Sequence, residues 1–343
     1  MQPRSNRLLP CGLAAAAMLV LPSIAFAEGE VNLYSSRHYD TDERLYSDFE
    51  EATGITVNRI EGKADELIAR MKAEGENSPA DLLLTVDTSR LERAKAEGVL
   101  QSIDSAVLEA KVPGYLQDDE NQWFGFSQRA RILFYDKNEV SDPPMTYQDL
   151  ADPKYKGMIC IRSSSNVYTQ TLTAALIAHL GEDAVADWTK AVVANFARDP
   201  QGGDTDQLRG LVSGECDISM SNTYYFARAV RKSVDGVSDS LDMIGWVFPN
   251  QDDIGAHMNL SGGGVAAHAP NKDNAIKFLE YLASEKAQKY FSAGNDEYPT
   301  VPGVGISPSV ASLGFFKPDD LDASAIADNI AAAQKVLNAS GWK

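Results

Sequence analysis

Four histidines, three cysteines and the absence of any HExxH or GxSxG motif leave little room for the common hydrolytic chemistries in this chain of 343 residues. The Ser261-Gly262-Gly263-Gly264 turn has no lysine after it, so it is no phosphate-binding loop. Positive charge is scarce as well: 31 Lys and Arg face 49 Asp and Glu, a formal charge of −18. Nucleic acid and anionic lipid are poor partners for such a surface. No internal repeat or low-complexity segment is present. Beyond residue 27 no run approaches the ~20 apolar residues that cross a membrane.

What is present begins with an export signal. Arg4 and Arg7 supply a positive start, residues 13–24 an apolar stretch too short to span, and Ala25-Phe26-Ala27 a small-residue cleavage site. Cleavage after Ala27 leaves an exported chain that is not membrane-embedded. Cys11 precedes the apolar stretch, which argues against a lipoprotein. Cys160 and Cys216 survive cleavage, and an even number in an exported chain suggests a disulfide. Neither has a CxxC or CxxH neighbour, so a metal-thiolate site is the weaker alternative.

Strand and helix patterns alternate from residue 31 onward. Strands are predicted at 31–35, 55–60 and 80–86, the last a continuous apolar run of the kind buried on both faces of a parallel sheet. Helices are predicted at 41–53, 64–72 and 89–97. The series pauses at 121–136, a long extended segment without a crossover helix. A second series follows: a helix signal at 146–150, a strand at 158–162, helices at 167–180 and 183–194, and a strand at 216–221. The chain turns extended again over 244–257, and the glycine-rich 262–267 reads as a strand entered from a tight turn. Helices at 271–283 and 284–291 and an amphipathic helix at 323–338 complete the pattern.

These repeats predict an α/β chain with two open, doubly wound sheets joined by two hinge strands, near Gln128 and near Ile254. The expected division is a leader at 1–27, an N-terminal lobe of 28–127 plus 255–305, and a C-terminal lobe of 128–254 plus 306–343. An exported chain crossed twice in this way has the two-lobed (type II) architecture of periplasmic solute-binding proteins, which close around a ligand by hinge motion. A monomer is expected.

The chemistry points to tyrosine. Tyr224-Tyr225 sits where the strand 216–221 meets the next helix, Tyr168 follows the Ser163-Ser164-Ser165-Asn166 cap, and Tyr39 follows the first strand. Ligands in open α/β sheets bind beyond the carboxyl ends of the strands, where all four are predicted. Helix N-termini favour phenolate over phenol. A phenolate is a hard anionic oxygen donor suited to hard trivalent iron. A lone tyrosine is ordinarily a packing ring, and Tyr46, Tyr281 and Tyr290 read that way within their helices. Four phenolates on Fe(III) leave one net negative charge, whereas Fe(II) leaves two. Arg228, one helical turn past the pair, is therefore a candidate to offset charge. Arg129 and Arg131 on the hinge segment are candidates for the same role or for holding a small anion. His38 is a candidate fifth ligand through a neutral ring nitrogen.

At these residues the chain resembles the periplasmic ferric-ion-binding proteins of bacterial iron ABC importers. YSSRHYDTD, SQRARILFYDK, SSSNVYTQ, GECDIS and SNTYYFARA stand in the expected order across the mature chain. The resemblance implies Tyr168, Tyr224 and Tyr225 as ligands from the C-terminal lobe and Tyr39 from the N-terminal lobe. It implies Fe(III) as cargo, with Fe(II) or a synergistic anion such as carbonate as further candidates. The implied partners are an inner-membrane ABC permease and its ATPase, and the implied location is the periplasm. The nearest alternative is a solute-binding protein for a polyamine, sugar or inorganic anion, because fold alone does not choose the ligand. An exported hydrolase is the reading from another class, and no acid/base pair at a recognisable spacing supports it.

Overall fold

Leu82, Leu83 and Leu84 can lie in a strand only where both faces are covered, and the sheet is built around that need. The computed structural model describes residues 29–343 apart from His38. The leader read at 1–27 and the candidate ligand His38 therefore lie outside the described residues. β1 (Glu30–Ser35) pairs in parallel with β2 (Thr56–Glu61) on one side and with β3 (Leu82–Thr85) on the other. The crossovers are α1 (Glu43–Thr53) and α2 (Ala64–Glu74). Gly54, at φ 73°, closes α1 in the left-handed conformation that glycine adopts without steric cost. α3 (Thr88–Ala96) and α4 (Ala106–Lys111) follow β3.

The pause at 121–136 is β4 (Phe124–Asp136), a single strand of 13 residues that joins two sheets. Its first half pairs antiparallel with β8 (Met258–Val265), which also flanks β3. Its second half pairs antiparallel with β6 (Ile218–Asn222) and β7 (Ile244–Val247), and β5 (Ile159–Cys160) adds in parallel to β6. β9 (Tyr298–Pro299) pairs with β4 at Ser127 and Gln128. Buried side chains divide at the same place. Phe124 and Phe126 pack with Leu33, Phe49 and Phe278, while Leu133 packs with Trp188 and Val336, and Phe134 with Leu208 and Phe226. Each fully buried Leu or Phe contributes roughly 1.5–3 kcal/mol, so the first of these clusters sustains the first lobe and the other two together sustain the second.

Within the second lobe, α5 (Val167–Leu180) is apolar on nearly every side and lies inside the lobe, covered by α6 (Glu182–Ala194) and the C-terminal helix Ile330–Ala339. α7 (Asp204–Val212) and α8 (Thr223–Arg231) flank β6, and α9 (Lys272–Leu282) and α10 (Glu285–Asn295) return to the first lobe. Cys160 and Cys216 are bonded, with their Cα atoms 5.7 Å apart.

Four local expectations change. The Gly262–Gly264 run is strand interior and not its entry. A Cβ there would sit 2.4 Å from the Phe124 carbonyl oxygen, 2.6 Å from that of Leu83 or 2.1 Å from that of Gln122, so close backbone approach requires glycine. The helix signal at 146–150 yields only the turn Gln148–Ala151, because the Asp149 carboxylate takes the Met145 and Thr146 N–H groups and Pro153 follows. The predicted helix 323–338 is broken into Ala323–Asp328 and Ile330–Ala339 at Asn329, whose side-chain amide donates to the Ala325 carbonyl. α7 has no counterpart among the predicted helices, although Asp206 marks its start by accepting from the Gly203 N–H at 2.7 Å.

Candidate metal centre

The loop after β1 and the first turns of α5 and α8 carry the four tyrosines to one point between the lobes. Asn166 caps α5, its side chain accepting from the Tyr168 N–H at 3.1 Å. Asn222 occupies the corresponding position before α8, but its side-chain oxygen accepts from Arg131 at 3.1 Å. The Tyr39 hydroxyl donates to the Tyr224 hydroxyl at 3.3 Å, and the Tyr168 and Tyr224 hydroxyls are 3.5 Å apart. Tyr225 stacks on Tyr224, ring centroids 4.2 Å apart, and joins Tyr168 in lining a cavity of about 340 Å³. Tyr224 and Tyr168 are buried, whereas Tyr39 and Tyr225 are half-buried.

The electrostatics of the point are mixed. Burial pushes the phenols of Tyr39 and Tyr224 well above their usual range, and the neighbouring tyrosines push them further, while Arg129 opposes. Burial and the Asp204 carboxylate likewise raise Tyr225. Without a cation these three side chains are neutral phenols. Set against that cost is a shell of guanidinium groups. Arg129, Arg131 and Arg162 stand 5.7, 5.7 and 5.6 Å from the Tyr168 ring centre, Arg37 stands 4.8 Å from that of Tyr39, and Arg228 stands 5.5 Å from those of both Tyr224 and Tyr225. Cations so placed favour the phenolate once a metal ion compensates for desolvation.

The arginines are themselves held. Arg131 pairs with Asp204 at 2.6 Å and Arg162 reaches the same carboxylate at 3.1 Å. Arg129 donates to Ser261 at 2.8 Å and to the Val86 carbonyl, with Glu297 at 3.9 Å. Arg37 binds Asp42 at 2.7 Å and Glu297 at 3.3 Å. Asp204, Arg162, Arg37 and Glu297 were not found by sequence reasoning. Arg162 directly before the serine-rich cap was a usable signal, but residues 37 and 297 meet only through the fold. Among the described residues no three His, Cys, Asp or Glu side chains form a metal-binding group.

Two lobes, a shared strand and ligand-type side chains converging between them define a solute-binding protein. Residues 44–317 match the family described as bacterial extracellular solute-binding protein, and the chain belongs to that family. It is 49% identical to iron uptake protein A1 of Synechocystis over 315 residues, covering 92% of this chain and 88% of that protein. The fold aligns at TM-score 0.85 and 51% identity with a Trichodesmium protein, IdiA or FutA, in complex with iron and citrate ligands, covering 92% of this chain and 100% of that one. It aligns at TM-score 0.88 and 39% identity with a ferric binding protein from Campylobacter jejuni, covering 91% and 100%. These are solute-binding transport proteins and not enzymes. No helix among the described residues is long and apolar enough to cross a membrane.

Proposed function

We propose that this protein binds ferric iron in the cleft between its lobes through the phenolates of Tyr39, Tyr168, Tyr224 and Tyr225, and delivers it to an ABC permease of the inner membrane. The observation that carries this reading is the approach of the Tyr39 and Tyr168 hydroxyls, from opposite lobes, to within 3.5 Å of the Tyr224 hydroxyl. The relatives named for iron binding support the cargo. The C-terminal lobe captures the ion through Tyr168, Tyr224 and Tyr225, and coordination by Tyr39 draws the N-terminal lobe onto it. The closed form is then what the permease and its ATPase recognise.

Each phenol must lose its proton to bind, so iron uptake releases protons and acid reverses it. Arg228 and Arg129 offset the charge of the loaded site, with Arg131 steadied by Asp204, and His38 is the candidate additional ligand. A small anion, carbonate or citrate, completes the sphere beside Arg162 in the cavity of about 340 Å³. Reduction to Fe(II) raises the negative charge of the site and loosens the metal. The protein works in the periplasm as a monomer, its leader removed after Ala27, with lobes of 28–127 plus 255–305 and 128–254 plus 306–343. The test is titration of the purified metal-free protein with ferric citrate: one equivalent of iron and a phenolate-to-iron charge-transfer band are expected, and no band contradicts the reading.

A further inference from the structure

A cavity of about 680 Å³ lies at the hinge and includes none of the four tyrosines in its lining. Gln128 of β4 lines it, while the next residue, Arg129, stands over Tyr168. Successive strand residues face opposite ways, so the cavity lies across the hinge strand from the tyrosine cluster. Every passage between the lobes contributes to it: Gln128, Met258 to Leu260 of β8, and Tyr298 with Thr300 around β9.

Its lining has a distinct chemistry. Tyr115, Trp123, Tyr298 and Phe316 supply aromatic walls, and the only charged residues are Asp319, Asp320 and Asp322. Neither lysine nor arginine lines it. Asp319 is paired with His179 at 3.0 Å, whereas exposed Asp320 and Asp322 have no ion pair among the described residues. His257, only 2% exposed, also lines the cavity, and its Nε2 has no hydrogen-bond partner. A volume of this size suits one small molecule. Aromatic faces together with carboxylates and no opposing cation select positive charge.

We propose that this cavity is a second ligand site, for a small organic cation with an aromatic or branched apolar body. It is a different chemistry from the tyrosine cleft, which offers hard oxygen donors to a metal ion. The aromatic and aliphatic walls take the body of the ligand, and Asp320 and Asp322 take its ammonium group.

The test uses the metal-free full-length mature protein and three probes that share one ring: 2-phenylethylammonium, 2-phenylethanol and 3-phenylpropionate. Calorimetry should give saturable one-to-one binding of the ammonium, with a Kd on the order of millimolar for so small a probe. The alcohol should bind about fivefold more weakly and the carboxylate more weakly still. Asp320→Asn/Asp322→Asn, changing only exposed side chains, should weaken the ammonium about fivefold, as expected for two solvent-facing charge contacts. Tyr115→Ala, at a residue 78% exposed, should weaken the ammonium and the alcohol alike, because it removes a wall and no charge. Equal binding of the three probes, unchanged affinity in the double variant, or no saturable binding of the ammonium overturns the proposal. Iron is absent throughout, so the outcome is independent of the metal-site reading.

Discussion

His257 stands where the chain re-enters the hinge, and its ring is held in a place hostile to charge. It is 2% exposed, its Nε2 is unpartnered, and its main-chain N–H donates to the Tyr147 hydroxyl at 2.9 Å. Burial lowers its pKa from 6.5 to about 4, with Asp87 opposing the change and Arg131, His179 and Arg129 adding to it. The unfolded chain takes up this proton near pH 6.5, whereas the folded protein refuses it until about pH 4. Between those limits the folded state binds fewer protons, so stability falls as pH falls. The loss begins below pH 6.5 and stops near pH 4. At ~1.4 kcal/mol for each pH unit between the folded and unfolded pKa, the full loss is about 3–4 kcal/mol, of which about 3 is reached at pH 4. His257→Gln removes the titration. Urea unfolding of metal-free wild type and variant across this range isolates the effect, because other groups cancel in the difference. The stability difference should move by about 3 kcal/mol in favour of the variant between neutral pH and about pH 4. Parallel curves for the two proteins would show that His257 does not titrate differently in the folded and unfolded chain.

Reducing the Cys160–Cys216 bond, which closes a 56-residue separation, should lower stability by about 4 kcal/mol in urea unfolding and leave the visible spectrum of the iron form unchanged. Arg228→Gln removes a cation 5.5 Å from the ring centres of Tyr224 and Tyr225, so the iron reduction potential measured by redox titration should become more negative. Tyr39→Phe keeps the three donors of the C-terminal lobe, so it should retain weakened iron binding while small-angle scattering shows less closure on iron addition.

The elements with local signals were legible in the sequence. The apolar run at Leu82–Leu84, the glycine after Thr53 and the Asn166 cap each act through neighbours a few residues away, and each falls on an element in the fold. The same locality made the tyrosines stand out, since two of their three positions are helix first turns. What escaped depends on distant partners. Gly262–Gly264 reads as a turn until β3 and β4 are laid against it, and Asp204 is one acid among many until Arg131 and Arg162 converge on it. Asn329 breaks a helix whose apolar periodicity runs straight through, because a single side-chain amide diverts the backbone without disturbing the pattern.

The central claim is that phenolate oxygens hold the iron, and deleting one oxygen at a time tests it directly. Tyr224→Phe and Tyr225→Phe each keep the ring and its stacking, and Tyr46→Phe, packed against Phe278 in the first lobe, is the control. Visible absorption and bound metal are measured after ferric citrate is added to each protein and to wild type. The account predicts a weakened or shifted charge-transfer band and lost affinity in both site variants, with the control matching wild type. An unchanged band and unchanged iron content in both Tyr224→Phe and Tyr225→Phe would contradict it.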